Sequence, residues 1–394
     1  MADQSSTRPG RHFLQIPGPS NVPDRVLRAM ATPTIDHRSP EFAQLTSGIL
    51  ENLGKVFQTA EPVILYPSSG TGAWEAALVN TLSPGDRVLA FETGHFATLW
   101  RNIATRLGLE VEWVEGDWRR GVELSAARER LESDTSHTLK AALVVHSETA
   151  TGALSDIAGV RRILDETGHP ALLLVDTISS LASVDYRHDE WGVDVTVCCS
   201  QKGLMLPPGL GMNAISRKAL EASASARLPR SYWDWGPVLK MNERGFFPYT
   251  PPTNLLFGME EALGMILDEG LAQVFARHRR LAEASRIAVN AWGLKMCCLD
   301  PAECTDSLTA IWMPEGHDAD ELRRLILDRF DMSLGTGLGK VKGRVFRIGH
   351  LGDMNDLMLM GTLCGVEMGF SLAGVPHRKE GVAAALDYLA STAK

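Results

Sequence analysis

The chain has 394 residues, 44% apolar and 22% charged, with a formal net charge of −9. That length exceeds what one compact core usually takes, so two domains in contact are expected. The acidic balance and the lack of a basic tract exclude nucleic acid as the main partner, and no apolar run reads as long enough to span a bilayer.

The polar start, Met1 to Arg11, lacks the apolar core of a signal peptide, which predicts a cytoplasmic protein. Residues 1–25 read as a loose N-terminal arm. From about Glu61 to Arg217, short apolar runs alternate with helical patterns. Strands are expected at Arg87–Phe91, Ala141–Val145, Ala171–Val175 and Val193–Cys198, with a helix over Ser155–Thr167, where Ile157, Val160, Ile163 and Leu164 recur at helical spacing. Almost continuously apolar strands separated by helices predict an α/β fold, a doubly wound and mostly parallel sheet covered on both faces, in a large domain over residues 26–252. After Thr250-Pro251-Pro252 the pattern changes. A long helical stretch from Leu256 to Trp292, interrupted near Gly270, precedes a strand at Ser307–Trp312 and a helix at Ala319–Phe330. A glycine-rich stretch at Gly335–Gly343 and a strand at Val345–Ile348 follow. This mixture predicts a smaller C-terminal α+β domain over residues 253–394. Six cysteines, with adjacent pairs at Cys198–Cys199 and Cys297–Cys298, show neither a disulfide framework nor zinc-ligand spacing, so no metal is expected.

Ligands of open α/β sheets bind beyond the carboxyl ends of the strands, and four polar constellations stand at those positions, one of them His146-Ser147-Glu148-Thr149-Ala150-Thr151-Gly152 after the strand that ends at Val145. Ser200-Gln201-Lys202-Gly203 follows one apolar strand, and Lys202 is the only formal charge between Asp194 and Arg217. A lysine on a loop ordinarily snorkels to water; held among apolar neighbours it loses its proton more readily, and a neutral amine is what an imine with an aldehyde requires. Asp176 directly follows another strand. Its alternatives are a helix cap and a partner for a pyridine N–H, which a carboxylate keeps protonated so that the ring serves as an electron sink. Ser69, Gly70, Thr71 and Gly72 open a probable helix, where free N–H groups suit a phosphate, although such starts are common. Gln201 and Thr250 add donors. Arg347 lies inside an apolar strand pattern, and its alternatives are an edge position facing water and a two-point clamp for a carboxylate. His37, Arg38 and His350 are weaker candidates.

At these positions the residues resemble a known family. Pro17-Gly18-Pro19-Ser20-Asn21, Asp36-His37-Arg38-Ser39-Pro40, Ser69-Gly70-Thr71-Gly72, Asn80-Thr81-Leu82-Ser83-Pro84-Gly85-Asp86 and Ser200-Gln201-Lys202-Gly203 are similar to class V aminotransferases. Glu148-Thr149-Ala150-Thr151-Gly152, Asp189-Glu190-Trp191-Gly192-Val193-Asp194 and Val345-Phe346-Arg347-Ile348-Gly349-His350 sharpen the likeness to the serine–glyoxylate branch. The resemblance covers about residues 10–385. It implies a fold type I transferase that uses pyridoxal 5'-phosphate, and a homodimer with a shared active site. Lys202 would hold the cofactor covalently and Asp176 would pair with its ring nitrogen. Ser69, Gly70, Thr71, Gly72 and Gln201 would hold the phosphate, joined by Thr250 of the other subunit. Phe96 would stack on the ring, Thr149 would stand beside it, and Arg347 would bind the substrate carboxylate. The implied reaction moves an amino group from a small amino acid to glyoxylate, with serine favoured and alanine weaker. Alternatives are aspartate as donor, or a lyase of the cysteine desulfurase type. Two departures, Ser147 for the branch's Asn and Thr177-Ile178 for its Gly-Val, are expected near the ring, where Thr177 would add bulk and a hydroxyl. The C-terminal Ser391-Thr392-Ala393-Lys394 differs from the peroxisomal tripeptide of plant relatives.

Overall fold

The computed structural model describes residues 10–393; residues 1–9 of the expected arm and Lys394 lie outside the described residues. The strands in chain order are β1 (Phe13–Gln15), β2 (Val63–Ser68), β3 (Arg87–Phe91), β4 (Glu110–Val114), β5 (Leu139–Val145), β6 (Ser147–Glu148), β7 (Ala153–Leu154), β8 (Leu172–Asp176), β9 (Val195–Cys199), β10 (Gly209–Ile215), β11 (Lys295–Met296), β12 (Leu308–Trp312), β13 (Met332–Thr336) and β14 (Val345–Gly349). Seven of them form one sheet in the order β2-β10-β9-β8-β5-β3-β4, and only β10 runs against its neighbours. The sheet is mostly parallel, as the continuous apolar runs predict: all five residues of β8 and of β9 are buried. Helices cover both faces. Pro40–Phe57 and Ile157–Glu166 add Phe42, Ile49, Leu53, Val160 and Leu164 to the core on one side. Gly70–Thr81 and His95–Arg106 add Trp74, Ala77, Leu78 and Trp100 on the other. Each large side chain buried this way contributes about 1.5–3 kcal/mol.

A five-stranded sheet, β1-β13-β14-β12-β11, backs onto the helices Leu271–Trp292, Ala319–Phe330, Asp356–Ala373 and Gly381–Ser391. Two features depart from the sequence expectation. The described part of the arm is ordered: β1 pairs in parallel with β13, Phe13 opposite Met332 and Gln15 opposite Leu334. A three-residue strand carries too little pattern to be seen in advance. The helix Thr253–Glu269 starts where Pro251-Pro252 suggests, but it packs on the helices Asp24–Met30 and Pro40–Phe57, and its Leu256, Met259 and Leu263 belong to the core of the larger sheet. Gly270, at φ +81°, ends it and starts the next helix.

The helix Asp356–Ala373 corrects another expectation. Its 18 residues have a mean hydropathy of 1.2, which by length and composition suffices for a membrane span. Here Leu359, Leu363, Val366 and Phe370 use that apolarity to cover the smaller sheet.

Candidate active site

Strands β5, β8 and β9 run side by side in the same direction, so the loops beyond their carboxyl ends meet on one rim. Asp176 is the last residue of β8 and pairs with Val197 of β9, two positions before Cys199 ends that strand; Lys202 stands three residues further on. Glu148 and Thr149 lie just past β5. The helix Gly70–Thr81 brings its first turn to the same rim. A Cβ at Gly70 would collide with Ile178 Cδ1, so only glycine lets the backbone approach this closely.

Lys202 is 8% exposed, and burial lowers its pKa to about 8. Its Nζ donates to the carbonyl of Pro17. Gly18, at φ +109°, passes directly beside it, and a Cβ there would come within 2.6 Å of Nζ. Ser20 secures the contact: its Oγ donates to the Lys202 carbonyl at 2.9 Å, and its N–H to the Gln201 carbonyl at 3.0 Å.

Burial pushes the Asp176 carboxyl up to about 7. Oδ1 accepts from Ile178 N–H at 2.6 Å and Oδ2 from Trp74 Nε1 at 3.2 Å. Trp74 is in turn stacked on Trp100, with centroids 5.9 Å apart, and has Phe96 at 6.5 Å.

Glu148 is fully buried. Its carboxylate accepts from Phe96 N–H at 3.1 Å, Ala97 N–H at 3.1 Å and Ala150 N–H at 3.0 Å. It therefore caps the helix His95–Arg106, whose N-cap Gly94 offers no side chain. Thr149 Oγ1 shares a short hydrogen bond with Ser179 Oγ. Arg347, in β14, is 6% exposed; its Nε donates to the Thr336 carbonyl at 2.8 Å and one terminal nitrogen to the Thr149 carbonyl at 2.7 Å. Among the described residues no carboxylate lies within ion-pairing distance of it. Burial lowers its pKa to about 10, and a buried guanidinium without a counter-ion is costly unless an anion arrives.

A protein-family model described as aminotransferase class-V matches residues 12–339. The chain belongs to the class V aminotransferases. It is 49% identical to a serine–glyoxylate aminotransferase of Methylorubrum extorquens over 98% of each chain, and 48% identical to an L-aspartate–glyoxylate aminotransferase of Paracoccus denitrificans over 96% of each. Among solved structures it resembles an alanine–glyoxylate aminotransferase from Nostoc, with a TM-score of 0.86 and 32% identity, over 93% of this chain and 98% of that one. The fold is the fold type I of pyridoxal-phosphate enzymes, and pyridoxal phosphate is the cofactor.

The residues on the rim fit that cofactor. Asp176, held near neutrality by burial, gains its charge when a pyridine N–H lies against it. Gly70, Thr71 and Gly72 present N–H groups at a helix start, and a Cβ at Gly72 would overlap Ser68 Oγ and Trp233. Ser69 Oγ already caps Gly72 N–H at 3.4 Å. Gln201 has a buried amide oxygen with no hydrogen-bond partner.

Thr250 is not brought to this rim. It is exposed, in a cleft of about 440 Å³ lined also by His37, Arg38, Arg244 and Tyr249, to which Lys202, Asp176 and Arg347 contribute nothing. The hydroxyls at the two departures from the branch pattern are taken up by the protein itself. Thr177 Oγ1 donates to the Val197 carbonyl at 3.0 Å, and Ser147 Oγ donates to Thr305 Oγ1 at 2.8 Å. His350 is buried with both ring nitrogens engaged, at 3.0 Å from Thr309 Oγ1 and 3.0 Å from the Asp306 carbonyl. Pro17, Gly18, Trp74 and Glu148 have no role in the sequence reading. Glu148 was the legible one among them, because it follows an apolar strand as Asp176 does.

Proposed function

We propose that this aminotransferase moves the amino group of a small L-amino acid, serine foremost and alanine less well, to glyoxylate, releasing a 2-oxo acid and glycine. The observation that carries the reading is Arg347: a buried guanidinium with no ion pair of its own, attracted only at longer range by Glu148, suits a substrate carboxylate. The names of the similar proteins from Methylorubrum and Paracoccus support glyoxylate as acceptor. Aspartate as donor would need a second cation at its far carboxylate. His350 is spent on the protein, and His37 and Arg38 share the cleft of Thr250, so in a shared site they are the cations an aspartate donor would have to recruit from the other chain.

When bound, pyridoxal phosphate supplies the electron sink that stabilises a carbanion at the substrate's α-carbon. Asp176 keeps the proton on the ring nitrogen. Gly70, Thr71, Gly72 and Gln201 would hold the phosphate and Phe96 would cover the ring. Arg347 grips the carboxylate and so orients the α-hydrogen toward Lys202. The Lys202 amine, deprotonated readily at a pKa of about 8, is the base that takes that proton and, as its conjugate acid, the group that gives it back. Thr149 steadies this arrangement through its carbonyl on Arg347 and its hydroxyl on Ser179.

The working unit in this reading is a homodimer, in which the exposed Thr250 of one chain reaches the phosphate of the next. All six cysteines are unpaired, which supports a reducing, cytoplasmic setting. The test is initial rate with glyoxylate against serine, alanine, aspartate and glutamate, compared as kcat/KM. Serine is expected to lead; a tenfold advantage for aspartate, about 1.4 kcal/mol, overturns the donor assignment.

A further inference from the structure

A cleft of about 1040 Å³ opens between the helices flanking the larger sheet and the segment 301–306. Lys202, Asp176 and Arg347 do not line it, and the mechanism above leaves it unused. Its one thiol is Cys304, half-buried; Cys298 lies buried behind it. The two are separated by the single turn Pro301–Glu303, and their sulfurs converge on one acceptor. Cys298 Sγ lies 3.6 Å and Cys304 Sγ 3.4 Å from the carbonyl oxygen of Asp300. The neighbouring Cys298 side chain and the Arg286 guanidinium lower the Cys304 pKa, while the Cys298 thiol is raised. Cys304 is therefore the more readily ionised of the two sulfurs, and Cys298 stands beside it as the second thiol. The remaining cysteines lack this arrangement: Cys198, Cys199 and Cys297 are buried with raised pKa values, and Cys364 is raised as well.

The loop is tied to the active site. Cys304 forms a β-bridge with Ala153, Thr305 N–H donates to the Gly152 carbonyl at 2.9 Å, and Thr305 Oγ1 accepts from Ser147. Ser147 precedes Glu148 and Thr149, which hold Phe96 and Arg347.

We propose that Cys304 is a modification site for low-molecular-weight disulfides, that Cys298 converts the adduct into an intramolecular disulfide, and that this bond slows turnover through Thr305 and Ser147. In the first step the Cys304 thiolate attacks one sulfur of R–S–S–R; that S–S bond breaks, a mixed disulfide forms and one RS⁻ leaves. In the second step Cys298 loses its proton to the departing thiolate and attacks the Cys304 sulfur, expelling the second RS⁻. Two protein thiols are oxidised and one external disulfide is reduced to two thiols. The modification stands independently of the identity of the amino donor, and any active donor serves to follow its effect.

The test incubates the holoenzyme with glutathione disulfide and maps the product without reduction. The intact chain should lose two hydrogens in mass, and cleavage at Asp300 should leave the Cys298 and Cys304 fragments joined. Turnover should fall about fivefold, about 1 kcal/mol, and return on adding dithiothreitol. Cys304→Ser should abolish all reaction in this loop, Cys298→Ser should stop at the glutathione adduct, and Cys364→Ser should behave as wild type. Oxidation that persists in Cys304→Ser, or no joined fragments in the wild type, overturns the site. Joined fragments with unchanged turnover overturn its coupling to the active site.

Discussion

A carboxyl group with no water around it holds its proton more tightly, and Asp176 makes that effect measurable. In the folded, cofactor-free protein it titrates near 7, against an ordinary value of 3.8. Between those values the folded chain binds more protons than the unfolded one, so this group's contribution to stability is present at low pH and is lost as pH rises from about 4 through about 7. Cofactor-free Asp176→Asn should therefore melt above cofactor-free wild type at about pH 8, with the gap closing toward pH 4, while transamination is nearly abolished. Equal melting curves across that range would make Asp176 an ordinary cap for the Ile178 turn. Arg347 is tested by Arg347→Lys, which keeps the charge and loses the planar fork. We expect kcat/KM to fall on the order of a hundredfold, about 2.7 kcal/mol, for the amino donor and for glyoxylate alike, because both present a carboxylate to the same group. A loss confined to one of the two would show that the clamp is not shared. Lys202 should be the residue to which borohydride fixes the cofactor, read by peptide mapping.

At the scale of elements, the stretch from β1 to Ser20 is where the structure adds most to the sequence. Gly18→Ala places a methyl group against the Lys202 side chain and forces a positive φ on a residue with a Cβ. The expected result is a loss of about 1–3 kcal/mol in stability together with slower cofactor uptake, followed by the growth of visible absorbance on mixing. Uptake at the wild-type rate would mean that Gly18 yields without moving Lys202. The long strands were legible because continuous burial forces a continuous apolar run: Arg87–Phe91 has identical limits in both readings, and the expected Val193–Cys198 differs from β9 by two residues at its start and one at its end. The helix at Gly70 begins four residues before Trp74, its first large apolar residue, since its first turn is shaped by glycine and caps. Lys202, Asp176 and Arg347 could be found because a charge next to an apolar run stands out. The directions of Thr177 and Ser147 could not, because a hydroxyl that bonds to a neighbouring strand and one that faces a ligand have the same local sequence. Pro17 was equally hidden, since its partner lies 185 positions away.

For the whole molecule, the shared active site is the property to test. Lys202→Ala chains and Thr250→Ala chains should each be nearly inactive. Mixed dimers should recover activity, up to one intact site in each, since one site then takes both its lysine and its threonine from undamaged chains. Demonstrably mixed dimers without recovery would place Thr250 outside the site. The position of β1 has a further consequence for the way the protein is made. Phe13 leaves the ribosome long before Met332, its partner in β13. The larger sheet ends at Ile215 and has all its strands long before that, and domains complete themselves during synthesis. A nascent chain therefore carries the strands of the larger sheet before β1 has its partner, and until β13 emerges the Pro17–Gly18 wall is held over Lys202 by Ser20 without the support of β1 pairing.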